Sequence, residues 1–312
     1  MNKTVPQPPP QPDAGRTGQA GLRHTPGTLW AFALREYRIW QSYRAKQWMW
    51  IANIFVTTLM FFLMGRMLGA GAAGRIGPAY GTNYMSFVVV GIMVNSFINT
   101  NITDPYVRVA RSYFNGTMDL FLLSPMSVYT PILGLMAKSL LDDYPRLIFT
   151  AGFGMLFFGA VFNFSHWFAA LLFTLLLLVA SLGLGLISAS SFYLLNIKKG
   201  TEPVQFIVQQ LLATLLAGAY YPVTVLPRPL QWLACLIPHT YAFDALRRLV
   251  DPGAHPSVPV LPLQHVLAGL SPLGVDALAL GLSAAALLPL GLHLYGRGIE
   301  KARREGTLTR WQ

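Results

Sequence analysis

The sequence predicts an all-α integral membrane protein with six transmembrane helices, an N-terminal interfacial helix and short re-entrant helices before the last span. Of the 312 residues, 54% are hydrophobic and 11% are charged, whereas soluble domains carry about 25% charged residues. The apolar residues are concentrated in stretches of roughly 20 residues, the length that crosses a hydrocarbon core. Lys and Arg flank these stretches, as in membrane proteins and unlike the basic patch of a nucleic-acid-binding domain.

Two segments precede the first span. Residues 1–27 are rich in Pro, Gln and Gly and contain no apolar run, which predicts a disordered cytoplasmic tail without a cleavable signal peptide. Residues 28–47 place Trp30, Tyr37 and Trp40 on one helical face, which favours an amphipathic helix on the inner leaflet. A cytoplasmic extension of the first span is the alternative.

The spans form a predicted transmembrane domain over residues 48–300, and a basic cytoplasmic tail follows at 301–312. A helix over the third span would reach about 50 Å, so we expect it to project into the cytoplasm or to bend at Pro145. In chain order the predicted spans cover residues 48–68, 84–103, 130–162, 167–195, 204–225 and 273–295.

The distribution of basic residues predicts the orientation of the chain. With both termini inside, sixteen Lys and Arg residues lie in cytoplasmic segments and five lie outside. The inner group includes Arg108, Arg111, Lys198 and Lys199, in the loops after the second and fourth spans. The positive-inside rule therefore favours two cytoplasmic termini, and an even number of spans agrees with it.

Residues 220–250 follow a long apolar segment, and they are the most informative stretch of the chain. Pro222, Pro227, Pro229 and Pro238 divide them into pieces too short to cross a bilayer. Backbone that turns at membrane depth must be covered by protein or line a wet cavity. This pattern predicts short re-entrant helices and favours a transporter or channel over a simply anchored protein.

The loop after the second span is unusually apolar for a cytoplasmic segment. Between Gly116 and Pro125 it contains Met118, Phe121 and three leucines. An exposed apolar helix needs a membrane or protein partner. A helix that lies under its own bundle is the alternative.

Together these two regions resemble the permease subunits of type 2 ATP-binding cassette (ABC) exporters. In that family the first cytoplasmic loop carries an Arg, then Gly-Thr-(Leu/Met)-(Glu/Asp), then Ser-Pro. Near the fifth span the family carries an aromatic-Pro, a Leu-Pro, an apolar-Pro-X-Thr, an acid and an Arg. The loop residues that match are Arg111, Gly116, Thr117, Met118, Asp119, Ser124 and Pro125, and the later residues are Tyr221, Pro222, Leu226, Pro227, Ile237, Pro238, Thr240, Asp244 and Arg247.

The resemblance covers about residues 30–300 and implies a six-span half-transporter in the cytoplasmic (inner) membrane of a prokaryote. The loop from Arg111 to Pro125 would be the coupling helix that docks on an ATPase. The segment after the fifth span would be an external gate for an amphipathic, lipid-linked or drug-like substrate that moves outward. The implied partners are the lipid bilayer, a second permease copy in a homodimer, and two ATPase subunits that bind ATP and Mg. No cofactor and no nucleic acid is expected on this chain.

The sequence itself bears on the energy source. It contains no Gly-x-x-x-x-Gly-Lys-(Ser/Thr) phosphate-binding loop, so ATP hydrolysis is expected on a separate chain. Two other classes remain open. An integral-membrane lipid or glycosyl transferase would need a convergent set of acid, base or metal-binding groups, and the six histidines are scattered. An ATP-independent channel or transporter would be favoured by an inverted repeat, and none is visible.

Several polar side chains fall inside the predicted spans. Asn95, Asn99 and Thr103 share one face of the second span, and Gln205 and Gln209 share one face of the fifth. They are candidates for the lining of a pathway. Hydrogen bonds between helices are the alternative, and the common use of amides between membrane helices favours it.

Two charged groups complete the sequence-based candidates. Lys138, Asp142, Asp143 and Arg146 lie within the third span, where spacings of four residues favour a structural ion-pair ladder over a proton relay or gate. Asp244 precedes Arg247 and Arg248 by three and four residues, which predicts a local salt bridge. His239 lies at the turn before them. A hydrogen-bonding cap is favoured for it over a pH sensor.

Overall fold

The computed structural model describes residues 34, 44–68, 79–81, 83–116, 130–195, 207, 214–255 and 257–305. Within these ranges the protein is helical, and the only extended pairing is an isolated antiparallel bridge between Tyr80 and Ala254. The all-α prediction is therefore confirmed for the part of the chain that the structure describes.

Five long helices and three short ones make up the described fold. The long helices are α1 (Arg44–Leu68), α2 (Tyr84–Phe114), α3 (Thr130–Phe158), α4 (Trp167–Leu194) and α8 (Pro272–Arg304). Between α4 and α8 lie a 3-10 turn (Val223–Val225) and the short helices α5 (Arg228–Ala234), α6 (Pro238–Val250) and α7 (Pro262–Val266).

Four described helices are long and apolar enough to cross a membrane. They are α1 over Trp48–Met67, α2, α4 and α8, and each overlaps a span predicted from the sequence. The third predicted span is a 29-residue helix, α3, that continues through Pro145. Of the fifth, the structure describes only residue 207 and the stretch from 214 onward. The count of six spans therefore remains a prediction.

Local sequence signals explain where several helices begin. The side chain of Asn83 caps α2, since it accepts hydrogen bonds from the backbone N–H groups of Met85 and Ser86 at 3.0 and 3.2 Å. The Oγ of Ser271 caps α8 by accepting from the N–H of Gly274. The first turns of α5, α6, α7 and α8 each contain a proline, whose missing N–H costs nothing there.

The core lies where α2, α4, α6 and α8 meet. Its buried apolar residues include Phe97, Leu177, Phe243 and Leu280. The most apolar window of α2 is 78% buried, whereas those of α1 and α8 are only 17% and 22% buried. Thus α2 is the central helix, and α1 and α8 present apolar faces toward the surroundings.

Candidate functional site

The most elaborate polar structure lies in the segment between the fifth and sixth predicted spans. We call residues 217–255 together with 257–271 the cap. Prolines divide this segment as predicted, because each short helix has a proline at its first or second position, where a preceding helix could not continue. Helix α6 is polar in sequence, yet every residue from Pro238 to Leu249 is buried. The cap is therefore packed into the bundle against α2, α4 and α8.

Arg247 fastens the cap to α2. Its Nη1 and Nη2 donate to the carbonyls of Gly218 and Ala219 at 2.8 and 2.5 Å, and its Nε donates to the carbonyl of Phe87 at 3.4 Å. The guanidinium carbon lies 3.6 Å from the centroid of the Phe87 ring. The side chain is buried, and hydrogen bonds from charged donors are the stronger kind. One arginine thus joins the end of the fifth predicted span to the central helix.

Two glycines allow Arg247 to make these contacts with Gly218, Ala219 and Phe87, which we call the Arg247 clamp. Gly218 has a φ of +77°, which turns the chain so that its carbonyl faces Arg247. At Gly91 on α2, a Cβ atom would lie 2.0 Å from the carbonyl oxygen of Ala219 and 2.9 Å from Nη2 of Arg247. No side chain fits at Gly91, so the contact between α2 and the cap is a backbone contact.

A second buried network joins α6, α7 and α8. Asp244 accepts from Nε of Arg248 at 3.0 Å, and Nη1 of Arg248 donates to the carbonyls of His255 and Val258 at 3.2 and 2.7 Å. The Nε2 of Gln264 donates to Asp244 at 2.5 Å and to Asp276 at 2.7 Å. One amide therefore connects two carboxylates that lie on different helices.

The backbone completes part of this network. The Oε1 of Gln264 accepts from the N–H groups of Val260 and Leu261. Burial, and next the charge of Asp244, raise the pKa of Tyr80 well above its ordinary value, so the phenol stays neutral. Among described residues, the second carboxylate oxygen of Asp276 has no hydrogen-bond partner, although the side chain is fully buried.

The structure brings the predicted gate residues together in the cap. Of the two arginines predicted to pair with Asp244, Arg248 forms the salt bridge, whereas Arg247 turns to the backbone carbonyls. The predicted gate residues, all of which the structure describes, are Tyr221, Pro222, Leu226, Pro227, Pro238, Asp244 and Arg247. Sequence reasoning missed Gly91, Gln264 and Asp276. The signal for Asp276 was present, since it is an acid at the start of an apolar span.

His239 and Asn95 have interior hydrogen bonds. The Nε2 of His239 lies 3.3 Å from Oγ of Ser181, and the imidazole is fully buried. The amide of Asn95 donates to the hydroxyl of Tyr220 at 2.9 Å and its Oδ1 accepts from Thr214 at 3.4 Å. These contacts are the inter-helix bonds weighed against a pathway lining. Asn99 and Thr103 lie further along α2, and the predicted lining residues Gln205 and Gln209 lie outside the described residues.

The predicted ATPase-coupling loop starts at the other end of α2. The helix ends at Phe114, Gly116 has a φ of +65°, and Arg111 is exposed in the last turn. The remaining residues of the predicted loop lie outside the described ranges, namely Thr117, Met118, Asp119, Ser124 and Pro125.

A separate polar group joins α1, α2 and α3, and we call it the Arg146 cluster. It consists of Trp50, Thr100, Asn101, Asp143 and Arg146. Asp143 and Arg146 are 3.6 Å apart, so the ion pair is at a spacing of three residues. The predicted ladder had spacings of four, with pairs 138–142 and 142–146. The side chains of Lys138 and Asp142 lie outside the described residues.

Comparison with known proteins decides the family. A family model described as "ABC-2 type transporter" matches residues 29–250. The chain belongs to the ABC-2 type transporter family. Within it, the chain is similar to the inner membrane transport permease YadH of Escherichia coli K12, and equally to YadH of Shigella flexneri. Each is 26% identical over 229 residues, which cover 70% of this chain and 80% of the relative.

ABC-2 membership confirms the resemblance inferred from the two motif regions. The family match includes both the loop that starts at Arg111 and the cap as far as Val250. The chain is therefore a transport permease with several membrane-spanning helices.

In the ranges that the structure describes, no group of three or more His, Cys, Asp or Glu residues could hold a metal ion.

Proposed function

We propose that this permease is the membrane half of an ATP-driven exporter. It works as a homodimer with two copies of a separate ATPase subunit that binds ATP and Mg. The termini are cytoplasmic, the cap closes the external end of the pathway, and the loop that starts at Arg111 docks on the ATPase. The substrate is an amphipathic, lipid-linked or drug-like molecule that moves outward between the two permease copies.

One observation carries this proposal: the two family motifs meet opposite ends of the same helix. Arg247 of the cap binds the carbonyl of Phe87, near the start of α2, whereas Arg111 and Gly116 lie at its end. At 1.5 Å per residue, Phe87 and Arg111 are about 36 Å apart along α2. A displacement of the docking loop by nucleotide binding would therefore reach the cap through one continuous helix, which contains Pro105.

The proposed mechanism depends on ATP binding more tightly to one conformational state of the complex than to the other. ATP binding to two ATPase subunits favours the state in which their docking loops are close together. Because α2 is packed against α3, α4 and α6, a tilt of α2 shifts the backbone contact at Gly91 and the clamp of Arg247. The chain itself carries out no covalent chemistry in this scheme.

Co-purification tests the partner. The full chain should be expressed together with candidate phosphate-loop ATPases from the same organism and isolated in detergent. We expect a complex that hydrolyses ATP, and we expect Gly116→Pro and Asp119→Arg to abolish the association. Glu300→Arg is the matched charge reversal, at an exposed acid of α8, and should leave the complex intact. If both loop variants still bound the ATPase and supported transport, the docking assignment would be wrong.

Maleimide labelling in intact cells tests the orientation. In a Cys235→Ser background, cysteine replaces Phe164, which is 59% exposed between α3 and α4, or Glu305, which is exposed at the end of α8. A membrane-impermeant maleimide should label Phe164→Cys in intact cells and Glu305→Cys only after permeabilisation. The reverse pattern would overturn the proposed orientation.

A further inference from the structure

The Arg146 cluster is a charged group inside the described bundle that the cap and the docking loop do not use. Arg146 lies twelve residues before the Phe158 end of α3, which is about 18 Å along the helix. With the Phe158 end outside, the guanidinium lies in the inner half of a hydrocarbon core about 30 Å thick. A charge at this depth is costly, so its retention indicates a function.

The guanidinium of Arg146 has bonding capacity left. Its Nη1 lies 3.3 Å from Oγ of Thr100 and 3.6 Å from Oδ1 of Asp143, and the second distance is too long for a hydrogen bond. Among the described residues, Nε and Nη2 have no hydrogen-bond partner. The fork of two adjacent N–H groups is the feature with which arginine binds a phosphate or carboxylate through two bonds.

The surroundings hold this fork in position. The guanidinium carbon lies 5.4 Å from the centroid of the Trp50 ring, a cation–π distance. Asp143 is held in turn by Asn101, whose Nδ2 donates to Oδ2 of Asp143 at 3.2 Å. Asp143 and Asn101 are buried, and Thr100 is half-buried. Arg146 is therefore oriented from α1, α2 and its own helix α3.

The cluster is open on the outer surface of the described bundle. The side chain of Arg146 is 23% exposed, and the next residues along α3, Ile148 and Phe149, are 72% and 51% exposed. Phe149 also packs edge-on against Trp50, at 6.1 Å between centroids. An amphiphile could therefore reach the guanidinium sideways from the inner leaflet while its chains stay on this apolar surface.

We propose that the Arg146 cluster is a recognition site for the phosphate headgroup of an anionic amphiphile that approaches from the inner leaflet. This rests on the proposed function and names the chemical class of its substrate. Arg146 binds the phosphate through Nε and Nη2, Thr100 and Trp50 fix the guanidinium, and Asp143 keeps the empty site neutral. Carboxylate headgroups fit the same fork less fully, because they offer fewer oxygens.

Binding to the isolated full-length permease in neutral detergent tests the site. The probe is dioctanoyl phosphatidic acid, measured by calorimetric titration, with dioctanoylglycerol as the same lipid without its phosphate. We expect saturable binding of the first and none of the second. Arg146→Gln should weaken the affinity by about tenfold or more, and Arg146→Lys by less, since lysine keeps the charge and loses the fork.

Arg66→Gln is the matched control. Arg66 lies near the other end of α1, and its guanidinium carbon lies 5.5 Å from the Phe62 ring centroid, so it has the same kind of aromatic contact. Its removal should change the affinity less than twofold. Equal losses in Arg66→Gln and Arg146→Gln, or no loss in either, would overturn the proposal. Equal affinity for sn-glycerol 3-phosphate would overturn the amphiphile as the ligand.

The same permease in complex with its ATPase separates this inference from the proposed function. If the complex hydrolyses ATP but phosphatidic acid binding does not depend on Arg146, the headgroup site is wrong and the exporter stands. If binding depends on Arg146 but no ATPase associates with the permease, the exporter is wrong and the site stands.

Discussion

The cap and the Arg146 cluster both place an arginine near a carboxylate, but they use it in opposite ways. In the cap, Arg247 is buried and each of its three nitrogens donates to a backbone carbonyl. In the cluster, Arg146 is partly exposed, is too far from Asp143 for a hydrogen bond, and keeps two nitrogens without a described partner. A saturated arginine holds elements of the fold together, whereas an unsaturated one is available to a ligand.

This difference predicts how much each substitution lowers the free energy of unfolding. Arg247→Ala should lower it most. The substitution leaves the carbonyls of Gly218, Ala219 and Phe87 buried without their donor, at a cost of about 3–5 kcal/mol. Arg247→Lys should recover part of this loss, because an ammonium reaches fewer of the three carbonyls. Unfolding of the purified permease in mixed SDS micelles measures both. A loss below about 1 kcal/mol for Arg247→Ala would contradict the clamp.

Next in size is the difference between the two bridged carboxylates. Asp244→Asn removes the charge that pairs with buried Arg248 and should cost about 3 kcal/mol. Asp276→Asn keeps an acceptor for Gln264 and adds an N–H group that faces Asp244, so it should cost less than about 1 kcal/mol. The same unfolding assay compares them. Equal losses of stability would contradict these two roles, in which Asp244 forms the ion pair with Arg248 and Asp276 only accepts a hydrogen bond from Gln264.

Glycine substitutions sharpen the comparison at the backbone level. Gly91→Ala places a Cβ 2.0 Å from the carbonyl of Ala219 and should destabilise the protein by about 2 kcal/mol through overpacking. Gly281→Ala in α8 is the control, since no atom lies within 4 Å of its Cβ, and alanine should stabilise that helix slightly. If both variants unfolded alike, α2 and the cap would not be in backbone contact.

The smallest effect on stability is expected at the Arg146 cluster. Arg146→Lys keeps a cation beside the buried Asp143 and loses only the fork of a partly exposed guanidinium, which should cost less than about 1 kcal/mol. Its apparent melting temperature should stay within a few degrees of the wild type while phosphatidic acid binding falls. If Arg146→Lys destabilised the protein as much as Arg247→Ala, the cluster would be a structural clamp as well.

Several features of the fold could be predicted because they depend on local signals. The prolines of the cap fix where α5, α6 and α7 begin, and the apolar lengths fix α1, α2, α4 and α8. The partners of Arg247 could not be predicted, because they are backbone carbonyls distant in sequence and carry no residue-type signal. A spacing of four residues predicted a salt bridge for Arg248 correctly, yet said nothing about the neighbouring Arg247.

The hydrogen bonds around Gln264 could not be predicted from the sequence either, although side chains form them. The amide that connects Asp244 and Asp276 lies in α7, a five-residue helix too short to show a periodicity, so only the packing of α6 against α8 brings the three together. In the Arg146 cluster the charged residues were identified as a group. The exposure of Arg146 and its contact with Trp50 depend on how α1 lies against α3, which spacing within α3 cannot give.

The central claim is that nucleotide at one end of α2 moves the cap at the other. A spin label on Leu236→Cys in a Cys235→Ser background reports on it directly, because Leu236 is 79% exposed on the cap. In the reconstituted complex, pulsed electron paramagnetic resonance measures the distance between the two spin labels of the permease dimer. The account predicts a defined distance that changes when ATP and Mg with vanadate replace the nucleotide-free state. A single unchanged distance, or no dipolar coupling between two copies, would contradict it.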